Sequence, residues 1–367
     1  MRVVRAGGVV IAVLAGVAGL GAAFQAPGAS GGPKKAEEQF KNIQVLKGIP
    51  ADQLIPTMQF IAASLNVECS FCHVDRAFDK DDKKPKQIAR KMIEMEMVIN
   101  KNNFEGHQAV TCNTCHRGSE HPMSVPAIAD ENFTPPMEEK EEAKPALPSA
   151  EDVVAKYVAA IGGKGAIGKL KSLSEKGNMV AFGGRRIPIE VYTKAPSSRA
   201  SITQMPDGVS VTAVNDQAGW MGMPGRPSHE MSTADANSYR LEAEFALIPN
   251  LEQMFPKMRV VKREKVGDRD TIMVVGMRDG QPPVRMNFDQ ESGLLLRLTR
   301  YTETALGQNP VQIDYADYRA VDGVKIPYKW ILGRPSGRFT VQIEEAKANG
   351  PIDPSKFEKP AAAVQGH

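Results

Sequence analysis

The residues able to do chemistry sit in one short stretch of this 367-residue chain. All four cysteines fall there, as Cys69, Cys72, Cys112 and Cys115, and a histidine closes each pair. The two segments read Cys69-Ser70-Phe71-Cys72-His73 and Cys112-Asn113-Thr114-Cys115-His116. A disulfide framework would spread its bridges over the fold, so these cysteines serve a local purpose. C-x-x-C-H is the spacing at which two thiols add across the vinyl groups on one porphyrin edge while the next imidazole comes beneath the iron. Two covalently attached haem c groups are therefore expected. A zinc site would place its pairs ~15–20 residues apart, whereas 39 residues intervene here. A redox C-x-x-C would be a single pair with no trailing histidine.

The sixth iron ligand decides between electron transfer and chemistry on a bound molecule, because a thioether raises the potential and closes the site. Met58 lies on an apparent helix before the first motif and Met92 on one before the second. Met95 and Met97 are rivals to Met92. In a chain with 17 Met, core filling competes with ligation for all of them.

Two helices must position these groups. Residues 52–65 place Leu54, Ile55, Met58, Ile61 and Leu65 at helical spacing, and Pro56 is tolerable only near the first turn. Residues 85–100 carry Ile88, Met92, Met95 and Ile99 as one apolar stripe, with Asp82 as a capping candidate and Pro85 suited to the first turn. The cluster from Lys80 to Lys91 fits a solvated helix start better than a docking patch for an acidic partner.

Residues 1–26 resemble an export signal: Arg2 and Arg5, then an uncharged apolar run to about Phe24, with small residues Gly21-Ala22-Ala23 for cleavage. An uncleaved anchor is the competing reading, since the run approaches the ~20 residues that span a bilayer. Either places the remainder in the periplasm or on the outer face of the inner membrane. A first module is expected over residues 34–121 and a Pro/Glu-rich, solvated linker with little tertiary contact over 122–148. A second module follows over 149–360. It opens with a helix capped by Ser149 and Asp152. It continues as strands at 187–193, 209–214, 271–275, 284–288, 294–298 and 339–344, separated by turns such as Asp279-Gly280 and Asp322-Gly323. The fold class is α+β, with mostly antiparallel β and one or two helices in the second module. Gly163 to Lys169 imitates a phosphate-binding loop but follows a helix and has Leu170 where Ser or Thr must stand. A net charge of +3 without a basic, aromatic-studded stretch excludes nucleic acid as a partner. The second module has only His229 and the terminal His367, so it cannot assemble a metal cluster or a His-based triad.

The stretch from Leu54 to Gly118 resembles the cytochrome c subunit of purple-bacterial photosynthetic reaction centres. Thr57-Met58, Cys69 to His73, Phe78, Asp82, Ala89 to Met95, Ile99-Asn100 and Val110 to Gly118 carry the likeness. In that family each haem sits against a helix whose Met is the sixth ligand. The resemblance therefore implies Met58 and Met92 as axial ligands opposite His73 and His116. It also implies a mainly α-helical di-haem module. The family's subunit has four haems, and motifs for the first pair only occur here. His107 lies where the family has a His reaching toward a haem that this chain lacks, so an exposed or capping role is its default.

The second module is similar to the half-barrel of periplasmic lipoprotein carriers, through Glu190-Val191-Tyr192, Phe288 to Leu296 and Val321 to Pro327. The resulting expectation is an electron carrier, not an enzyme. It passes single electrons between redox donor and acceptor proteins, among them a membrane-bound reaction centre or respiratory complex. The alternatives are a non-photosynthetic respiratory or envelope di-haem cytochrome, a di-haem peroxidase-like enzyme, and an envelope protein binding an apolar ligand in the half-barrel.

Overall fold

Alternation of inward apolar and outward polar side chains governs the chain beyond residue 170, and it folds there into one large sheet. The computed structural model describes residues 34–124, 146–180, 184–225, 227–247, 251–335 and 337–360. The expected export segment and most of the expected linker lie outside them. Among the described residues no helix is long and apolar enough to cross a membrane.

The first six strands are β1 (Ser172–Val180), β2 (Arg186–Lys194), β3 (Ser198–Met205), β4 (Gly208–Val214), β5 (Gly219–Gly222) and β6 (His229–Glu230). Seven more follow: β7 (Lys257–Val266), β8 (Arg269–Met277), β9 (Val284–Asp289), β10 (Leu295–Thr304), β11 (Gly307–Val321), β12 (Val324–Arg334) and β13 (Gly337–Ala348). Their spatial order is β6-β5-β4-β3-β2-β1-β13-β12-β11-β10-β9-β8-β7. Thus β1 to β6 meander outward to one edge, the chain crosses to the other edge, and β7 to β13 meander back until β13 pairs with β1.

That crossing dictates the curvature. Thirteen flat strands would span about 58 Å at ~4.8 Å spacing. The connection is α8 (Thr233–Leu247) and the short α9 (Leu251–Met254), and a helix of α8's length covers only about 22 Å. The sheet must curl until its edges come within reach. Accordingly α8 packs on β1 to β5 at one side and on β10 at the other. Being surrounded, it buries Ala236, Ser238, Leu241, Ala243, Phe245 and Leu247 on several faces instead of one stripe.

The helix α6 (Ala150–Ala160) begins as the sequence predicts: Ser149 Oγ accepts from the Asp152 N–H at 3.0 Å. It buries Val153, Val154 and Tyr157, whose ring lies 5.2 Å from that of Phe288. A short α7 (Gly163–Ile167) follows, so the loop that imitates a phosphate site is a helical turn. Among its described residues the second unit therefore has four α-helices where one or two were expected. Inside the curl the core is not wholly apolar. Arg300 forks onto Glu242 at 2.5 and 3.1 Å, and Arg199 approaches the same carboxylate at 4.0 Å.

Residues 34–124 form a smaller, helical unit: α1 (Ala36–Gln39), α2 (Leu54–Leu65), α3 (Cys69–Cys72), α4 (Lys84–Asn103) and α5 (Cys112–His116). Its apolar core cluster groups the buried Ala36, Leu46, Leu54, Phe60 and Ile93, joined by Leu306 from the β10–β11 turn. The two units thus share a core residue. A buried Leu contributes about 1.5–3 kcal/mol, a large share for so small a cluster. The sequence expectation placed no contact of this kind between the modules.

Glu175 on β1 is buried, and burial pushes its carboxyl from an ordinary 4.5 up to about 7, with Arg199 opposing. An acid whose folded pKa is raised stabilises most below its unfolded pKa, and that stability falls as pH rises between ~4.5 and ~7. Glu175→Gln should flatten this segment of the stability–pH curve and gain on the order of 3 kcal/mol at pH 8. Denaturant melts from pH 4 to 8 test this; parallel curves for the two proteins would refute it.

Candidate functional site

Each C-x-x-C-H motif is a single helical turn, and the backbone around it is tied down at both ends. Upstream of the first, α2 stops at Asn66 in the left-handed conformation (φ 55°). The turn α3 then closes with His73 N–H donating to Cys69 O at 3.0 Å. Upstream of the second, the buried Asn100 side chain donates to Val110 O at 2.7 Å and accepts from Val110 N–H at 2.9 Å. Downstream, Arg117 and Gly118 take positive φ, and Gly118 N–H reaches Ser64 O of α2 at 2.9 Å. The second motif therefore rests on the helix that precedes the first.

The two histidines are held alike. His73 Nδ1 lies 2.9 Å from Phe78 O, and His116 Nδ1 lies 3.0 Å from Ser119 O. A carbonyl only accepts, so in each ring Nδ1 carries a proton, and in the neutral imidazole Nε2 is then the nitrogen with the lone pair. That is the tautomer an imidazole needs to bind a metal through Nε2, with its orientation fixed from behind. The Phe78 carbonyl is itself fixed. Lys86 Nζ donates to it at 2.8 Å and to Lys80 O at 2.7 Å.

Asp81 anchors this loop. Its carboxylate receives Arg90 through both Nη1 (2.9 Å) and Nη2 (2.8 Å), Asn42 Nδ2 at 2.9 Å, and Lys86 at 3.1 Å. Arg90, then Asn42 and Lys86, hold the carboxyl well below the usual carboxylate range. The sequence reading chose the neighbouring Asp82 as a helix cap. In the structure α4 starts after Lys83, without a side-chain cap, and Asp82 is exposed. The Lys80–Lys91 cluster is likewise not simply a solvated helix start, since Lys86 is buried as a brace and Lys83 Nζ bonds Ser70 O.

None of the four thiols is disulfide-bonded. Cys112 is partly buried and donates to Glu96 Oε2 at 2.9 Å; burial and that carboxylate push its pKa up. Burial raises Cys72 as well. Cys69 and Cys115 are exposed. Among the described residues no group of three or more His, Cys, Asp or Glu is placed to hold a metal ion unaided. The pairs do not converge as a zinc site would require. What the arrangement offers is two turns, each with two thiols and one imidazole.

The methionine helices complete the picture. Along α4 the protein buries Lys86, Ile93, Glu96 and Asn100. The predicted stripe faces elsewhere, leaving Ile88 46%, Met92 37% and Met95 47% exposed. On α2 the buried positions are Leu54, Pro56, Thr57, Phe60 and Ser64, while Ile55 is exposed and Met58 half-buried. Core filling, the competing sequence reading, therefore fails for Met92, and Met97 is also exposed. The apolar flanks of both helices and the prepared imidazoles fit a flat, apolar, iron-bearing group. His107 is exposed, in a turn closed by its N–H on Phe104 O at 2.8 Å. Sequence reasoning missed Asp81, Glu96 and Leu306, and it named Asn100 only as part of the resemblance, without a role. The Asn100–Val110 pairing has no local signal, whereas three aspartates in four residues at 79–82 marked the Asp81 loop as unusual.

Residues 21–155 match the family described as "Photosynthetic reaction centre cytochrome C subunit". A photosynthetic reaction center cytochrome c subunit of Thermochromatium tepidum is 34% identical over 101 residues, 26% of this chain and 25% of that protein. The corresponding subunit of Roseobacter denitrificans is 34% identical over 106 residues, 26% of this chain and 28% of that protein. Cytochrome c-554 of Chloroflexus aurantiacus is 30% identical over 103 residues, 26% of this chain and 25% of that protein. The chain spans about a quarter of the length of these curated relatives. The resemblance read from Leu54 to Gly118 is thus shown for the N-terminal part. Among solved structures, a LolA superfamily protein from Nitrosomonas europaea aligns with 58% of this chain and 99% of its own. Its TM-score is 0.39 and its identity 14%.

Because the Asp81 carboxyl is depressed from an ordinary 3.8, its contribution to stability is present above that pH and is lost as pH falls below it. Asp81→Asn should lower the thermal midpoint at pH 7 and remove part of the loss seen below about pH 4. Melts of the haem-loaded full chain from pH 7 to 2 check this. Equal midpoints at pH 7 would refute the anchoring role.

Proposed function

We propose that the N-terminal unit binds two haem c groups covalently, through Cys69 with Cys72 and Cys112 with Cys115. His73 and His116 would hold one axial position of each iron, and Met58 and Met92 the other. Bound haem c supplies an iron that takes up and releases one electron at a time. The observation that carries this reading is that each motif imidazole is held by Nδ1 on a backbone carbonyl, while α4 turns the face bearing Met92 away from the protein core and Met58 stands half-buried at the edge of that core.

The chain's own residues then have defined tasks. The backbone carbonyls of Phe78 and Ser119 keep each imidazole in the tautomer whose Nε2 binds iron. Thioether ligands close the sixth position and favour the reduced iron, so the reading is an electron carrier and not a peroxidase-like enzyme. The packed core and the Arg300–Glu242 pair inside the curled sheet favour it also over an envelope protein with an apolar ligand. The likeness to reaction-centre cytochromes suggests donor and acceptor proteins at the outer face of a membrane. A reaction centre or a respiratory complex would be the acceptor, and export would use the N-terminal segment. His107 has no part in the scheme.

Full-length protein matured in the periplasm should exceed its chain mass by two haems and stain for haem after denaturation. Cys69→Ala with Cys72→Ala should leave one haem. Met58→Ala should weaken the red charge-transfer band of Met–iron bonding and lower one potential, and Met92→Ala the other. A mass without haem refutes the central assignment. Unchanged spectra and potentials in both Met variants refute the ligand assignment alone.

A further inference from the structure

We propose that the tip of the β10–β11 hairpin, in the second unit, is a positioning element for the Met58–iron bond, so that the curled-sheet unit tunes the potential of the Met58 haem more than that of the other. The proposal rests on Met58 being an iron ligand.

The hairpin turns over two residues, Ala305 and Leu306, between paired Thr304 and Gly307. It enters the first unit beside α2. Leu306, 2% exposed, lies in the same cluster as Leu54 and Phe60. Gly307 has φ +152°, and a Cβ there would stand 2.4 Å from Phe60 Cζ, so only glycine lets the strand lie on that ring. The Ala305 N–H reaches Thr57 Oγ1 at 3.3 Å, and Asn309 Nδ2 donates to Pro56 O at 3.0 Å. These contacts fall on Pro56, Thr57 and Phe60, on both sides of Met58 in the chain.

The helix needs such support. It has 12 residues and no side-chain cap at its start, and an isolated helix of that length is marginal in water. Its own unit supplies few buried apolar partners. Its axial placement, and with it the distance of Met58 from any iron, therefore follows where the hairpin holds it. The other methionine helix has 20 residues. It shares the hairpin's cluster through Ile93, and Gln108 beyond it donates to Ala305 O at 2.7 Å. Among the described residues no hairpin residue bonds that helix beside Met92, and its Lys86, Glu96 and Asn100 are held within the first unit. The larger effect should fall on the haem that Met58 would serve.

The test uses full-length, haem-loaded protein carrying Leu306→Ala, Asn309→Ala or the conservative Leu306→Met. Met58→Ala and Met92→Ala serve as references, read by potentiometric titration and by the red charge-transfer band. Leu306→Ala should lower the potential that Met58→Ala lowers and weaken the same share of the band. The potential that Met92→Ala lowers should move less, and Leu306→Met should restore the wild-type values. Asn309→Ala removes only one side-chain bond, so it should act in the same direction and more weakly even where Leu306→Ala fails to fold. Unchanged potentials in both variants, or an equal shift of both potentials, overturn the proposal. If Met58→Ala moves one potential and the hairpin variants move neither, the proposal alone fails. If Met58→Ala moves neither, the ligand assignment fails and takes the proposal with it.

Discussion

The bond from each motif imidazole to a backbone carbonyl is the contact around which the smaller unit is arranged. An imidazole free to rotate and to exchange tautomers would present either nitrogen, and half of those states cannot bind a metal through Nε2. Fixing Nδ1–H on Phe78 O and Ser119 O removes that ambiguity before any iron arrives. The requirement then passes outward. Phe78 O must itself be held, which Lys86 does, and Lys86 is held by Asp81, which also takes both ends of the Arg90 guanidinium. A bidentate pair of this kind adds geometry as well as energy. The loop between the first motif and α4 is short and charged, and Asp81 is its working charge, paired with Lys86 of α4.

A second constraint is that α4 is built the wrong way round for a protein-only core. It turns Lys86, Glu96 and Asn100 inward and Ile88, Met92 and Met95 outward. Burying polar groups is tolerable only because each has a partner, Phe78 O for Lys86, Val110 for Asn100 and, while Cys112 is a free thiol, its S–H for Glu96. Leaving the apolar side bare costs free energy in proportion to area, ~25 cal/mol per Å². A large flat apolar group lying on that face would cover it.

The second unit obeys simpler rules. Two meanders joined by one crossing helix force the sheet to curl, and the helix fills the curl. Its edge strand β7 is guarded by Lys257, Arg259, Lys262, Arg263 and Lys265, charges of the kind that discourage pairing with another sheet. One of its hairpins runs past the sheet into the smaller unit, which connects a rigid scaffold to the helix bearing Met58. Coupling of this sort needs only a shared core residue and a helix too short to place itself.

Much of the site was legible because its chemistry is local. Two thiols and an imidazole within five residues define an attachment motif whatever surrounds them, and the 3.6-residue stripe on residues 88–99 is visible without a fold. The Ser149–Asp152 cap and the turns at Asp279-Gly280 and Asp322-Gly323 were equally plain. Six strands were found, but β11 and β12 carry Pro310 and Pro327, and β1 turns Glu175 inward, so their patterns are broken. The helix α8 is buried on several faces and shows no single stripe. Its one signal was Ser232 with Asp235, a repeat of the cap at Ser149. Tertiary structure alone decided which face of α4 is core, that Asp81 and not Asp82 organises the loop, and that Leu306 crosses between units. Those outcomes depend on which surfaces meet across 40 to 250 residues of chain, and no local spacing encodes them.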